Sequence, residues 1–157
     1  MRITLVLMGK TDASWLTTGI EVYTKRLSHY IRFDVVEINP PKNYKQLNPI
    51  QLKEAEGKLF LKYFEDADQV ILLDERGKLH SSEDFAAWLQ KLMNAGTRHL
   101  MFVVGGAFGF SEEVYETANG KISLSPMTFS HQMVRVFFAE QIYRAFTILR
   151  NEPYHNS

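Results

Sequence analysis

The chain has 157 residues, the size of a single domain, with 18 basic and 18 acidic side chains and a formal net charge of zero. This balance argues against a protein that coats nucleic acid nonspecifically, because such binding depends on neutralising phosphates. No apolar run reaches the roughly 20 residues that cross a bilayer, and the apolar start is too short for a signal peptide. The absence of cysteine excludes disulfides and thiolate metal sites and fits a cytoplasmic protein.

The first half of the chain alternates between strand and helix patterns. Buried strands are predicted at 2–8 and 31–38, separated by a helix at 13–30 and followed by a loop at 39–49 that is rich in proline and asparagine. A second amphipathic helix is predicted at 51–64. Its expected buried side chains are Leu52, Leu59, Phe60 and Tyr63.

The second half continues the alternation. Strands are predicted at 69–73, 100–104 and 122–124, with a turn at 74–78 after the first of them. Ser81 or Ser82 begins a helix that ends at Gly96, and Ser111 caps a short helix. The helix that ends at Gly96 is expected to bury Phe85, Trp88, Leu89 and Leu92. The pattern predicts an α/β fold, with a mostly parallel sheet flanked by helices, in one domain over 1–157.

A long final helix is predicted from about residue 131 to residue 149. Its apolar side chains do not keep to one stripe, so we expect it to be buried on more than one side. In a chain this small, the second partner of the helix could be another copy, which would give a twofold homodimer.

Two strand-end loops in the last third predict a shared ligand crevice at the carboxyl ends of parallel strands. The first is Gly105-Gly106-Ala107-Phe108-Gly109, which is neither the dinucleotide G-x-G-x-x-G pattern nor a phosphate-binding P-loop. On its own it could be a tight strand-to-helix turn. The second loop, 124–129, offers backbone polar groups and apolar side chains, which suits an adenine ring.

Several blocks of the sequence, taken together, resemble one family. The blocks are Leu5 to Lys10, Leu72 to Lys78, Gly105 to Gly109, Leu124 to Phe129, His131 to Arg135, and Pro153-Tyr154-His155. In this order they resemble the ribosomal RNA large-subunit methyltransferase H family, of the SPOUT class of S-adenosylmethionine-dependent RNA methyltransferases. The resemblance covers essentially the whole chain. One position departs from the pattern, since Ser130 stands where a proline is expected before His131.

The resemblance implies a SPOUT-type fold with a C-terminal trefoil knot, a homodimer with composite sites, and S-adenosylmethionine as methyl donor. Nothing in the periodicity of the sequence predicts the knot, which runs against the general rule that loops are not threaded. The residues that the resemblance assigns to cofactor binding are Leu73, Gly105, Leu124, Ser125, Pro126, Met127, Thr128 and Phe129.

Three residues are candidates for catalysis. Arg135 stands among apolar neighbours, where a guanidinium needs a carboxylate or phosphate partner, and we expect it to contact RNA phosphate or the methionine carboxylate. By the resemblance, the C-terminal tail with Tyr154 and His155 lies at the active site. An aromatic ring can stack on a base, and a histidine can handle protons near neutral pH. His131, which shares a helix face with Arg135, could simply cap the helix, and Arg144 could pair with Glu140.

The reaction that the resemblance implies is methylation of N3 of a pseudouridine in 23S ribosomal RNA on the assembled 70S ribosome. The alternatives are a non-catalytic α/β module that binds adenosine nucleotides and a SPOUT methyltransferase that acts on transfer RNA. The five histidines show no metal-ligand spacing, and we expect no metal. The basic residues Lys121, Arg135, Arg144 and Arg150 either share a phosphate-binding face or are scattered solvated charges.

Overall fold

A computed structural model describes residues 1–155, which form one parallel sheet of five strands with helices on both sides. The strands are β1 (Arg2–Met8), β2 (Arg32–Ile38), β3 (Gln69–Leu79), β4 (His99–Val104) and β5 (Gly120–Ser123). The helices are α1 (Ser14–Leu27), α2 (Pro49–Phe64), α3 (Ser82–Asn94), α4 (Glu112–Thr117) and α5 (Met133–Leu149). A single 3₁₀ turn, Tyr44–Gln46, precedes α2.

The sheet has the strand order β2-β1-β4-β3-β5, and every pair in it is parallel. The central strands β1 and β4 are almost wholly buried, as expected for a parallel sheet that is covered on both faces. One hydrophobic cluster joins the sheet to α1, α3 and α5, and the other joins it to α2 and α4. The predicted α/β class and the flanked parallel sheet are therefore confirmed.

The boundaries of the elements shift by a few residues from the predicted ones. Helix α2 begins at Pro49 because Asn48 caps it: the Asn48 side chain accepts a hydrogen bond from the Gln51 N–H, and the Gln51 side chain accepts one from the Asn48 N–H. The prediction that Tyr63 is buried was wrong. Tyr63 is exposed and its neighbour Phe64 is buried, because adjacent helix positions are turned by about 100° from each other.

Strand β3 continues through the segment that was predicted as a turn. On β5, Ile122 pairs both with Leu73 and with Lys78, so the four residues between these two bulge out of the sheet before the strand resumes. Gly77 closes the bulge, and a Cβ atom there would lie 2.3 Å from the carbonyl carbon of Ile122. Only glycine fits at such a distance. The trefoil knot remains a prediction that the resemblance implies.

Helix α5 is buried on two sides by its own chain, since it packs against both α1 and α3. The approach to α1 is close, because a Cβ atom on Gly19 would lie 3.1 Å from Cγ1 of Val136. The apolar pattern of α5 thus does not require a second copy of the chain, and the homodimer remains a prediction. Within residues 1–155, no helix is long and apolar enough to cross a membrane.

Candidate functional site

A cleft of about 480 Å³ opens at the carboxyl ends of β3, β4 and β5. Three chain segments form its walls: 73–76 at the bulge of β3, 104–110 at the end of β4, and 122–131 around the end of β5 and the approach to α5. Lys53 of α2, Tyr115 of α4 and Val134 of α5 complete the lining. The position agrees with the general rule that ligands of open parallel sheets bind beyond the carboxyl ends of the strands.

The β3 wall presents a fixed hydrogen-bond acceptor. The carboxylate of Asp74 accepts a hydrogen bond from the Tyr115 hydroxyl and another from the backbone N–H of Arg76, at 2.8 Å. Burial, followed by the hydrogen bond to Asp74, raises the pKa of Tyr115 to about 12, so the phenol remains a donor. Sequence reasoning left Asp74 out of the site, although its place directly after a buried strand could have indicated a role.

The β4 wall is a tight turn. The Gly109 N–H donates to the Gly106 carbonyl oxygen at 3.2 Å, and Gly109 has a φ of 80°, a left-handed conformation that favours glycine. The turn holds Phe108 at its tip, where the side chain is 53% exposed. Backbone rather than side chain therefore faces much of the cleft here, which allows a ligand to approach closely.

The β5 wall is an irregular loop held by its own hydroxyl groups. Ser123 Oγ donates to the Ser125 carbonyl oxygen at 2.9 Å, and the Met127 N–H donates to Ser125 Oγ at 2.9 Å. Thr128 reaches across to Glu75 of the β3 wall at 3.4 Å. These short-range bonds fix the loop without a regular element.

The loop ends at α5 through Ser130, the position that departs from the family pattern. Ser130 Oγ accepts a hydrogen bond from the Met133 N–H at 3.1 Å, and the Ser130 carbonyl oxygen accepts one from the Val134 N–H at 3.1 Å. Ser130 thus satisfies donors in the first turn of α5. The side chain that accepts a hydrogen bond from the first turn of α5 is therefore that of Ser130 and not that of His131.

The structure brings seven of the eight predicted cofactor residues together around the cleft. They are Leu73, Gly105, Leu124, Ser125, Met127, Thr128 and Phe129. The eighth, Pro126, belongs to the same loop but does not line the cleft. Binding of a ligand by these residues remains a prediction.

The interpretation of Arg135 needs correction. Its side chain is 0% exposed, and its guanidinium donates to the carbonyl oxygens of Met8 at 2.7 Å, Gly9 at 3.1 Å and His131 at 3.0 Å. A fourth bond reaches the hydroxyl of Thr11 at 3.0 Å. The expected carboxylate or phosphate partner is replaced by backbone carbonyls, which the residue types around Arg135 could not reveal. Arg135 joins the end of β1 to the start of α5.

His131 lines the cleft. Burial, and then the positive charge of Arg135, lower the pKa of His131 below its ordinary value. The imidazole is therefore neutral at neutral pH.

The two predicted tail residues lie away from the cleft, against α5 and the start of α3. The Tyr154 hydroxyl donates to Glu140 at 3.1 Å, and burial raises the pKa of Tyr154 well above its ordinary value. His155 bonds Glu83 through Nε2 at 2.7 Å and Arg144 through Nδ1 at 3.3 Å. Neither residue lines the cleft of its own chain.

The basic residues of the last third do not form one common face. Arg135 is buried, and Arg144 pairs with Glu140 at 2.7 Å, as the spacing of the two residues predicted. Lys121 lies over the ring of Tyr115, and Arg150 lies over that of Tyr30. All four cations thus already have partners within the chain, which argues against a shared phosphate-binding face.

Comparison with known proteins agrees with this architecture. A family described as "Predicted SPOUT methyltransferase" matches residues 1–155. Proteins named "Ribosomal RNA large subunit methyltransferase H" from Flavobacterium johnsoniae and Parabacteroides distasonis are 58% and 53% identical over 156 residues, covering 99% of this chain and 99% of each relative.

Among solved structures, the tRNA (m1G37) methyltransferase from Aquifex aeolicus superposes with a TM-score of 0.56. At 12% sequence identity, covering 100% of this chain and 76% of that one, it is similar in fold alone. The full-length match to the family and the high identity to its members agree with the sheet and the strand-end cleft described above. The chain belongs to the ribosomal RNA large subunit methyltransferase H family of SPOUT methyltransferases.

Proposed function

We propose that this protein transfers a methyl group from S-adenosylmethionine to N3 of a pseudouridine in 23S ribosomal RNA, on the assembled ribosome. The observation that carries the proposal is the cleft, which gathers segments 73–76, 104–110 and 122–131 at one edge of the sheet. Seven residues that the family resemblance assigns to the cofactor lie there. The substrate follows from the names of the relatives, which are ribosomal RNA large subunit methyltransferases.

The residues around the cleft fit S-adenosylmethionine. A volume of about 480 Å³ lies within the range of roughly 300–1,000 Å³ that is usual for small-molecule sites. Leu73, Val104 and Leu124 offer an apolar slot for the adenine ring, and the backbone of the two loops offers hydrogen bonds to its edge. Asp74, held as an acceptor by Tyr115, suits a hydroxyl or ammonium group. When bound, the cofactor supplies the methyl group as a sulfonium.

The protein's own side chains have to orient the RNA base and remove a proton. N3 of the base must lose its hydrogen before it can accept a methyl group, so a proton acceptor near neutral pH is needed. We assign His155 to proton handling or phosphate contact and Tyr154 to positioning the base. Arg135 acts as a positioning residue, because it fixes the turn that carries His131 to the end of β1.

Under this proposal, the protein is a homodimer in which the tail of one chain reaches the cleft of the other. Tyr154 and His155 pack near Glu140 and Arg144, which lie about 9–15 Å further along α5 than Val134 at the cleft. An apolar surface remains exposed near the start of α5. Phe137 is 43% exposed there, and its ring contacts Phe129 of the cleft wall. A second copy that covers this surface would bring a tail to the cleft of its partner.

The test is transfer of tritiated methyl from S-adenosylmethionine to 70S ribosomes, isolated subunits, free 23S RNA and transfer RNA, all prepared from a strain lacking this protein. We expect label in 23S RNA of the 70S particle and little in free RNA. Ribosomes from the parent strain, whose target is already methylated, serve as the control. Label in transfer RNA alone would identify transfer RNA as the substrate. Cofactor binding without transfer to any RNA would indicate a non-catalytic nucleotide-binding module.

A further inference from the structure

Glu56 is a buried acidic residue with no part in the cofactor or RNA sites proposed above. It lies on the inner face of α2 together with Leu52 and Phe60, and it is 5% exposed. A glutamate on an amphipathic helix is ordinarily solvated, and a buried one is ordinarily paired with a base. Its place in the interior therefore requires an explanation.

No basic side chain within residues 1–155 forms an ion pair with Glu56. Burial alone raises the pKa of Glu56 from its ordinary 4.5 to about 7. The elements around Glu56 carry further chargeable side chains: Lys53, Glu54 and Lys58 within one turn of it on α2, and Glu112, Glu113, Tyr115 and Glu116 on α4. Lys53 and Tyr115 also line the cleft, together with Asp74, Glu75, Arg76 and His131 on its other walls. Near neutral pH, the carboxyl group is therefore divided between its neutral and ionised forms.

The carboxyl group of Glu56 lies directly behind the β4 wall of the cleft. A Cβ atom on Gly106 would lie 2.5 Å from Oε2 and 2.7 Å from Oε1 of Glu56, and Gly106 itself lines the cleft. Helix α2 packs closely against the far end of the same loop, because a Cβ atom on the adjacent Gly57 would lie 2.4 Å from Ser111 Oγ. The Glu56 carboxyl group therefore lies against a residue whose backbone faces the cleft.

We propose that Glu56 is a specificity-determining residue, whose carboxylate acts through the Gly106 wall to favour the positively charged methyl donor over its uncharged product. This inference rests on the proposed function. S-Adenosylmethionine carries a sulfonium charge that disappears on methyl transfer, when the product becomes a neutral thioether. A fixed negative charge a few ångströms behind the wall, in a site of low effective dielectric constant, stabilises only the charged form.

The coupling between the ligand and Glu56 is reciprocal. If the carboxylate favours the sulfonium, then binding of the donor must favour the carboxylate and release a proton from Glu56. The ratio of donor to product affinity therefore rises with pH, by roughly fivefold between pH 6 and pH 8 for an interaction of this range. After methyl transfer, Glu56 takes the proton back and the product is held less tightly than the donor.

Isothermal titration calorimetry tests this with S-adenosylmethionine and S-adenosylhomocysteine, measured from pH 6 to pH 8 in two buffers of different ionisation enthalpy. The expected result for the wild type is a rising affinity ratio and more protons released by the donor than by the product. Glu56→Gln is expected to hold the ratio constant with pH. The matched control is Glu54→Gln, a change of the same kind at an exposed position of α2, which is expected to behave as the wild type.

A ratio that changes equally with pH in the wild type and in Glu56→Gln overturns the inference and leaves the proposed function standing. If Glu56→Gln does not fold, proton release by the wild type decides, and equal release with both ligands overturns the inference. Failure of both ligands to bind overturns the inference together with the proposed function.

Discussion

The strand-end loops predicted the cleft and the family resemblance predicted a C-terminal tail at the active site, but the structure places these two regions apart. The cleft is complete within one chain, because three neighbouring strands end at one edge of the sheet and their loops follow from the backbone. The tail is held by side-chain contacts to Glu140, Arg144 and Glu83, away from that cleft. The walls of the cleft thus follow from the topology of one sheet, whereas the two tail side chains proposed for the chemistry do not reach the cleft of their own chain.

The largest expected effect is on the rate of methyl transfer, and it distinguishes the role of the tail from that of the cleft. His155→Ala is expected to slow methyl transfer by more than about a hundredfold, the usual range for loss of a group that handles protons. Affinity for S-adenosylmethionine should remain unchanged, because His155 does not line the cleft. Single-turnover transfer to 70S ribosomes and equilibrium dialysis measure the two quantities. His29→Ala, at an exposed position, is the control, and unchanged transfer by His155→Ala would remove its assigned role.

The next largest effect is on the free energy of unfolding, and it concerns α5, the helix that runs from the cleft to the tail. Arg135→Met removes four hydrogen bonds, among them the buried bond to the Met8 carbonyl oxygen and the partly buried bond to that of Gly9. We expect a loss of about 3 kcal/mol in the free energy of unfolding, measured by urea denaturation. Arg150→Met, at an exposed position, is the matched control. A loss below about 1 kcal/mol would contradict the structural role of Arg135 and reopen a direct role in binding phosphate.

A smaller effect on stability comes from Glu56, behind the wall of the cleft, and it depends on pH. The raised pKa of Glu56 means that the folded protein keeps a proton that the unfolded chain loses above pH 4.5, so stability falls as pH rises from 4.5 through about 7. Glu56→Gln removes this loss. We expect it to be more stable than the wild type by about 2 kcal/mol at pH 8 and equally stable at pH 4.5, as measured by denaturation. An equal difference at both pH values would show that Glu56 does not titrate in this range.

The smallest effect tests the wall between Glu56 and the cleft. Gly106→Ala places a methyl group 2.5 Å from Oε2 of Glu56, so either the carboxyl group or the loop that lines the cleft must shift. We expect about a tenfold loss of cofactor affinity, with no change in the contacts of the tail. Gly120→Ala, whose Cβ would meet only the flexible end of Ile71 at 3.4 Å, is the control and should bind normally.

The sequence predicted the alternation of strands and helices, because hydrophobic periodicity and capping residues are local. It also predicted Ser111 and Gly96 as helix boundaries, where the structure has a serine cap and a glycine with a φ of 82°. It did not predict the extension of β3, because the polar residues and glycine at 74–78 are typical of a turn. Only the partner strand reveals that pairing resumes at Lys78.

The sequence could not reveal two buried charged side chains, because burial of a charged side chain is a tertiary property. Arg135 is satisfied by carbonyls more than 100 residues away in the chain, and Glu56 is buried because α2 packs against the β4 loop. Neither arrangement can be inferred from neighbours in sequence. The second partner of α5 was likewise found within the chain, in α1 and α3.

The central claim is that the tail of one chain acts at the cleft of another, and mixed dimers test it most directly. His155→Ala disables the tail, and Thr128→Trp fills the cleft, so each protein alone should be inactive on 70S ribosomes. After the two are unfolded and refolded together, half of the dimers are mixed, and each has one intact cleft served by one intact tail. The account predicts recovery of about a quarter of wild-type methyl transfer. Mixed dimers that form but remain inactive would contradict it.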